Sequence, residues 1–275
     1  MPLGSPLPRR ALFRAAAVAS LGALVVATRD AGAQPARGRA WLGVELTKAE
    51  GGVLAKRVMR GSPAAAAGLK GADVLLSLDG QAVATAGEVV RIVSERGAGA
   101  TVKVRVRRGK DELTVAVKLV EFPGEEEALR LDKVGTFAAS WKGTKPTQGD
   151  VPDIKKLRGR VTVVEFWASW CGACRAMTPV LNDLHQRFGA QGLTVVGLTD
   201  DEEEAALKAV TKLGIKYPVC SGTSTETFSD YGVRSLPTFF IVDKRGVFRE
   251  VFVGAQPAES FEKHITKLLK ESAPS

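Results

Sequence analysis

Val161-Thr162-Val163-Val164-Glu165-Phe166-Trp167 is a mostly apolar, β-branched run of the kind that a central strand buried on both faces requires. It ends at Ala168-Ser169-Trp170, and Cys171-Gly172-Ala173-Cys174 follows directly. After the second cysteine, Met177, Val180, Leu181, Leu184 and Phe188 recur at three- and four-residue spacings, so the cysteines open an amphipathic helix. A strand that feeds straight into a helix commits this half of the chain to α/β construction. At a helix start, unpaired NH groups and the positive end of the dipole stabilise a thiolate. Cys171 is therefore expected to be the attacking thiol, and Cys174, one turn on, the resolving one.

Zinc is the competing use of a C-x-x-C, but it needs more ligands than this pair provides. The remaining soft candidates are Cys220, His185 and His264, and no second pair exists. No metal is expected. His185 and His264 read as helix-surface or helix-packing residues, and Cys220, in the short apolar strand after Tyr217-Pro218-Val219, as a buried free thiol. Three cysteines are also too few to staple a fold, so buried apolar area must hold it. The 275 residues leave room for two modest domains. The formal charge of +9 is spread over Lys and Arg interleaved with Asp and Glu, which argues for solvated surface and against nucleic acid as a partner.

Residues 1–33 read as a targeting segment. Arg9 and Arg10 precede an apolar, alanine-rich run from Ala15 to Ala27, and Ala31-Gly32-Ala33 is an A-x-A cleavage pattern. The run is too short to span a membrane, so a removed secretory signal is expected, with a mature start at Gln34. Arg9-Arg10-Ala11-Leu12-Phe13-Arg14 resembles the twin-arginine export pattern, although ordinary signals also carry arginine pairs. Export places the cysteine pair in an oxidising, extracytoplasmic or periplasmic compartment.

Residues 38–122 have their own logic. Ser62-Pro63 is an N-cap with proline at the first helical position, and Gly68 ends the alanine turn that follows. Val74-Leu75-Leu76-Ser77-Leu78 is a buried strand closed by Asp79-Gly80. Thr85 and Glu88 form a capping box for a helix with Val89, Val90, Ile92 and Val93 on its apolar face. Val102, Val104 and Val106, then Leu113, Val115 and Val117, alternate on two strands joined at Arg108-Gly109-Lys110-Asp111. Trp41-Leu42-Gly43-Val44, Gly61-Ser62-Pro63 through Gly68-Leu69, and Asp73-Val74-Leu75 together resemble a bacterial PDZ domain, a small α+β fold. The resemblance implies that the NH groups of Leu42, Gly43 and Val44 receive a peptide's terminal carboxylate, the peptide adding a strand beside Val44.

Residues 123–133 are expected to be a linker, with Glu125-Glu126-Glu127 opening a charged stretch that is either a short helix or solvated chain. Phe137 to Trp141 reads as an edge strand, and Lys142 to Asp150 as turns. From residue 134 to 275, Val164 through Cys174 together with Ser235-Leu236-Pro237-Thr238 resembles the thioredoxin superfamily. That implies a central mixed sheet flanked by helices, a cis peptide at Pro237 presenting backbone to a client, and Glu165 as the buried acid that exchanges a proton with Cys174. Ala173 stands where thioredoxins usually have proline, and Gly197 where a lysine often faces the acid. The segment Glu202 to Leu213 resembles the insertion of exported TlpA-like and ResA-like proteins.

The combined expectation is an exported thiol-disulfide oxidoreductase, a reductase in preference to an oxidase or isomerase, and in preference to a non-catalytic peptide-binding adaptor. Its redox-active Cys171–Cys174 pair would need no further cofactor. The expected partners are client proteins with cysteines or disulfides, a membrane electron donor, and a peptide C-terminus at the first domain.

Overall fold

The computed structural model describes residues 38–150 and 153–272, so the expected export signal lies outside the described residues. Among the described residues, no helix is long and apolar enough to cross a membrane.

The first module is built from β1 (Ala40–Trp41), β2 (Val44–Ala49), β3 (Gly52–Val58), α1 (Pro63–Ala66), β4 (Val74–Leu78), β5 (Gln81–Ala82), α2 (Ala86–Arg96), β6 (Thr101–Arg108), β7 (Asp111–Lys118) and β8 (Val120–Glu121). Its main sheet runs β2-β3-β4-β6-β7, with β5 beside β4, while β1 pairs with β8. Local chemistry sets these ends. Ser62 Oγ accepts the Ala65 amide at 3.1 Å, and Thr85 and Glu88 exchange reciprocal side-chain to backbone bonds. Asp73, with no exposed surface, takes a two-pronged ion pair from Arg108 at 2.7 Å per bond. Val89, Ile92 and Val93 face the core as expected, but Val90 is 59% exposed. It lies a further 100° round the helix from Val89 and looks away from the sheet.

The charged stretch that follows is a helix, α3 (Glu125–Lys133), with Leu129 buried in the second module. Arg130 reaches Glu250 at 2.6 Å, and Glu126 accepts the Val253 amide at 2.9 Å. On its other side Asp132 accepts the Arg60 amide at 2.9 Å and pairs with Arg57 of β3. The helix thus bonds to both modules.

The second module contains β9 (Lys145–Gln148), β10 (Val161–Phe166), α4 (Gly172–Phe188), β11 (Leu193–Leu198), α5 (Glu203–Leu213), β12 (Val219–Ser221), α6 (Thr225–Tyr231), β13 (Thr238–Val242), β14 (Phe248–Val253) and α7 (Ala258–Lys270). Strand order is β14-β13-β10-β11-β12-β9, with β10, β11 and β12 mutually parallel and the others antiparallel. Every residue of β10 is buried, as expected of the central strand. This is the thioredoxin fold.

The edge strand is not where the sequence suggests. Phe137 makes only an isolated bridge to Val247, and the edge strand ahead of β10 is β9, inside the stretch read as turns. An edge tolerates Pro146, since half of its backbone groups face away from the ladder. Gln148 then fixes the strand by donating to the Ile215 and Tyr217 carbonyls, each at 2.9 Å.

Candidate active site

Alternation along β10 decides what lies beneath the cysteines. Val161 and Val163 belong to the core that holds Cys171, Cys174 and the α4 side chains, whereas Val164 and Phe166 belong to the core on the opposite face. Glu165 shares the parity of Val161 and Val163, so it points to the α4 face.

Cys171 is the N-cap of α4, and its sulfur accepts the Cys174 amide at 3.1 Å. A sulfur at that position meets the positive end of a 17-residue helix, which favours its thiolate in the reduced state. In the structure the two cysteines form a disulfide with their Cα atoms 5.3 Å apart. Both are nearly enclosed, while the neighbouring Trp170 indole is 71% exposed and offers an apolar surface beside them.

The Leu236–Pro237 peptide is cis. Pro237 immediately precedes β13, whose first residue, Thr238, faces Phe166 in the register of β10 and β13. The strand that leads to Cys171 and the strand that follows Pro237 therefore reach the same end of the sheet.

Glu165 is 1% exposed, and burial pushes its carboxyl up to about 8, only partly opposed by a hydrogen bond that the Tyr217 hydroxyl donates at 2.8 Å. An acid so placed holds its proton at neutral pH and can release it within the range where thiols ionise. Nothing local in the sequence marks this partner. Register puts Gly197 of β11 opposite Glu165, where a lysine would be the alternative partner. A Cβ at Gly197 would stand 2.8 Å from Trp167 Nε1 and 3.4 Å from the Tyr217 ring, so the Trp167 indole and the Tyr217 phenol occupy that space. The uncharged Tyr217 stands in for the cation. Replacing Tyr217 by Phe should raise the Glu165 pKa from about 8 by roughly one pH unit, because a hydrogen bond to the charged form is worth about 1.5 kcal/mol. The pH dependence of tryptophan fluorescence, reported by Trp167, would show it, and an unmoved midpoint would remove Tyr217 from this role.

The third cysteine stands apart from this chemistry. Cys220 is buried in the core on the opposite face of the sheet, and burial pushes its thiol up to about 11. His185 is half-buried, held below its usual pKa by burial and then by Arg160. Among the described residues, no group of His, Cys, Asp and Glu is arranged to hold a metal.

A second candidate site lies in the first module. Gly43 has a φ of +80°, and a Cβ there would collide with the Ser62 side chain at 2.1 Å, so glycine is required. The carbonyls of Leu42 and Gly43 are tied back by the Ala64 and Met59 amides at 3.0 and 2.9 Å. Their own amides have no acceptor among the described residues, and with Val44 they border a groove of about 490 Å³. Adjacent free amides at a glycine bend suit a carboxylate.

Comparison with known proteins matches both modules. Residues 134–251 fit the AhpC/TSA family model, and residues 40–119 fit a PDZ domain. The chain is 32% identical over 122 residues to the thiol-disulfide oxidoreductase ResA of Bacillus thuringiensis, spanning 44% of this chain and 70% of that one. It is 30% identical over 157 residues to protein DipZ of Mycobacterium bovis, spanning 54% of this chain but 22% of the relative. Among solved structures, a thiol:disulfide interchange protein DsbE from Chlorobium tepidum aligns with 29% identity and a TM-score of 0.46, over 50% of this chain and 98% of that one.

Proposed function

Because the chain belongs to the ResA-like family of thiol-disulfide oxidoreductases, we propose that it is an exported protein-disulfide reductase whose PDZ domain holds a polypeptide C-terminus. The placement of Cys171 as the N-cap of α4, its sulfur facing the Cys174 amide, with the buried Glu165 on the same face of the sheet titrating near the thiol range, carries the reading.

In the reduced protein the Cys171 thiolate attacks one sulfur of a client disulfide. A mixed disulfide forms and the client's other sulfur leaves as a thiolate. Cys174 then attacks the Cys171 sulfur, the second client thiolate departs, and the protein is left with the Cys171–Cys174 disulfide. The ionised form of Glu165, whose share grows as pH approaches about 8, takes the Cys174 proton as that attack begins and returns it when the pair is reduced again. The returning electrons come from a dithiol donor at the membrane. Trp170 and the backbone ahead of Pro237 supply the surface against which an extended client lies.

The reducing direction is supported by how little stabilises the thiolate beyond the helix terminus itself. A strong oxidant owes its potential to a heavily stabilised reduced form. Here Gly172 and Ala173 carry no charge, and the buried group beneath the pair is an acid. Arg175 reaches back toward Gly172 from an exposed position where solvent screens it. Equilibration of the pair in thiol buffers tests the direction. A potential near thioredoxin's roughly −270 mV is expected, and one near about −120 mV would make the protein a disulfide donor instead.

A further inference from the structure

The groove beside Gly43 is walled by two domains. Val44 of β2 with Val89 and Val90 of α2 form one side, and Leu129, Gly232 and Arg234 form the other. The second set belongs to α3 and to the loop that runs from α6 into Pro237. Contact across the junction is close, with Arg57 Nη2 3.8 Å from where a Gly232 Cβ would stand. The exposed Val90, turned away from its own core, becomes part of the groove lining.

Charge in the groove is uneven. Arg57 is committed to Glu45 and Asp132. Glu125, the acidic residue of the lining, accepts the Ser235 hydroxyl at 2.7 Å. Arg39 lies over the Phe122 ring at 3.9 Å, and neither it nor the exposed Arg234 pairs with a carboxylate among the described residues. A groove with apolar walls, two unanswered guanidinium groups and two free amides at one bend fits an extended chain that is apolar at its end and acidic.

We propose that the occupant is the C-terminal segment of a client polypeptide, and that Arg234, a residue of the catalytic domain, pairs with an acidic side chain upstream of the terminal carboxylate. This rests on reading the groove as a peptide receptor. The terminal carboxylate takes the Leu42 and Gly43 amides and the last apolar side chain enters between β2 and α2. The acidic side chain crosses to Arg234. Since Arg234 adjoins Ser235-Leu236-Pro237, and Glu125 holds Ser235, the client is gripped next to the loop that presents it to Cys171. Specificity for the tail is thereby shared between the domains.

Fluorescence anisotropy on the full chain tests this with labelled decapeptides varied over the last six positions. Each is made as free acid and as amide, and with Glu or with Gln upstream. The expected result is binding that needs the free acid, and an affinity about tenfold higher for Glu than for Gln peptides that vanishes in Arg234→Glu. Failure of every free-acid peptide to outbind its amide overturns the receptor reading and the proposal with it. Free-acid-dependent binding with the same Glu to Gln ratio in Arg234→Glu keeps the receptor and overturns the role of Arg234.

Discussion

Replacing Cys171 by Ala should lower insulin disulfide reduction by about three orders of magnitude or more, since the attacking sulfur and the partner it forms a bond with act as one unit. Cys174→Ser should be nearly as inactive in turnover but different in outcome. Its Cys171 can still attack, and nothing releases the mixed disulfide, so client proteins accumulate covalently on Cys171. Non-reducing gels followed by mass spectrometry would display them. Cys220→Ser should keep turnover within about a factor of two, because that thiol lies across the sheet with its pKa pushed up to about 11. Strong residual turnover in Cys171→Ala would mean that another sulfur makes the attack, and no trapped client on Cys174→Ser under exporting conditions would turn the reading toward an adaptor that uses the fold for recognition alone.

What the sequence makes legible here is whatever local chemistry decides. The Thr85–Glu88 box, the Ser62-Pro63 cap, the buried β10 and the cysteines at the head of α4 depend on residues within one turn or one strand of each other. The less legible features depend on pairing at a distance. β9 exists because Gln148 finds two carbonyls near residues 215 and 217, which no local propensity reports. The glutamates of α3 resemble solvated linker until Arg130, Val253 and Ser235 supply their partners. Tyr217 is silent in the sequence as a site residue because its meaning comes from the register that sets Gly197 against Glu165. Gly197, standing where a lysine often faces the acid, marks only a missing cation and not what replaces it.

These two kinds of information meet at the junction between the domains. Motifs identify a peptide module and a redox module separately, but they say nothing of Arg57 and Asp132 or of the groove that Arg234 helps to wall. The helix that joins the modules bonds to both, through Asp132 on one side and Glu125 with Glu126 on the other. A tail bound in the groove would therefore rest against the same loop that precedes the cis proline, which gives a physical reason for placing these modules on one chain.

Glu165→Gln is expected to flatten the dependence of stability on pH, and this is the largest stability effect the site predicts. In the folded protein the carboxyl titrates at about 8, against the ordinary 4.5 that applies when unfolded. Below the lower value both states hold the proton and nothing is lost. Between the two, the native state keeps a proton that the unfolded chain has released, so stability falls as pH rises. The loss reaches about 3 kcal/mol at pH 7 and levels off near about 5 kcal/mol above the folded pKa. Glutamine has the same shape and its carbonyl can accept the Tyr217 hydroxyl, but it has no proton to give up. Urea midpoints of the oxidised protein at pH 5, 7 and 9 should fall steeply for the wild type and much less for Glu165→Gln, with the variant ahead at pH 9. The same exchange should remove the limb near pH 8 from the turnover profile, since resolution through Cys174 would lose its proton acceptor. Parallel stability curves for the two proteins would mean that Glu165 is not held protonated by burial, and an unchanged turnover profile would remove it from the proton transfer.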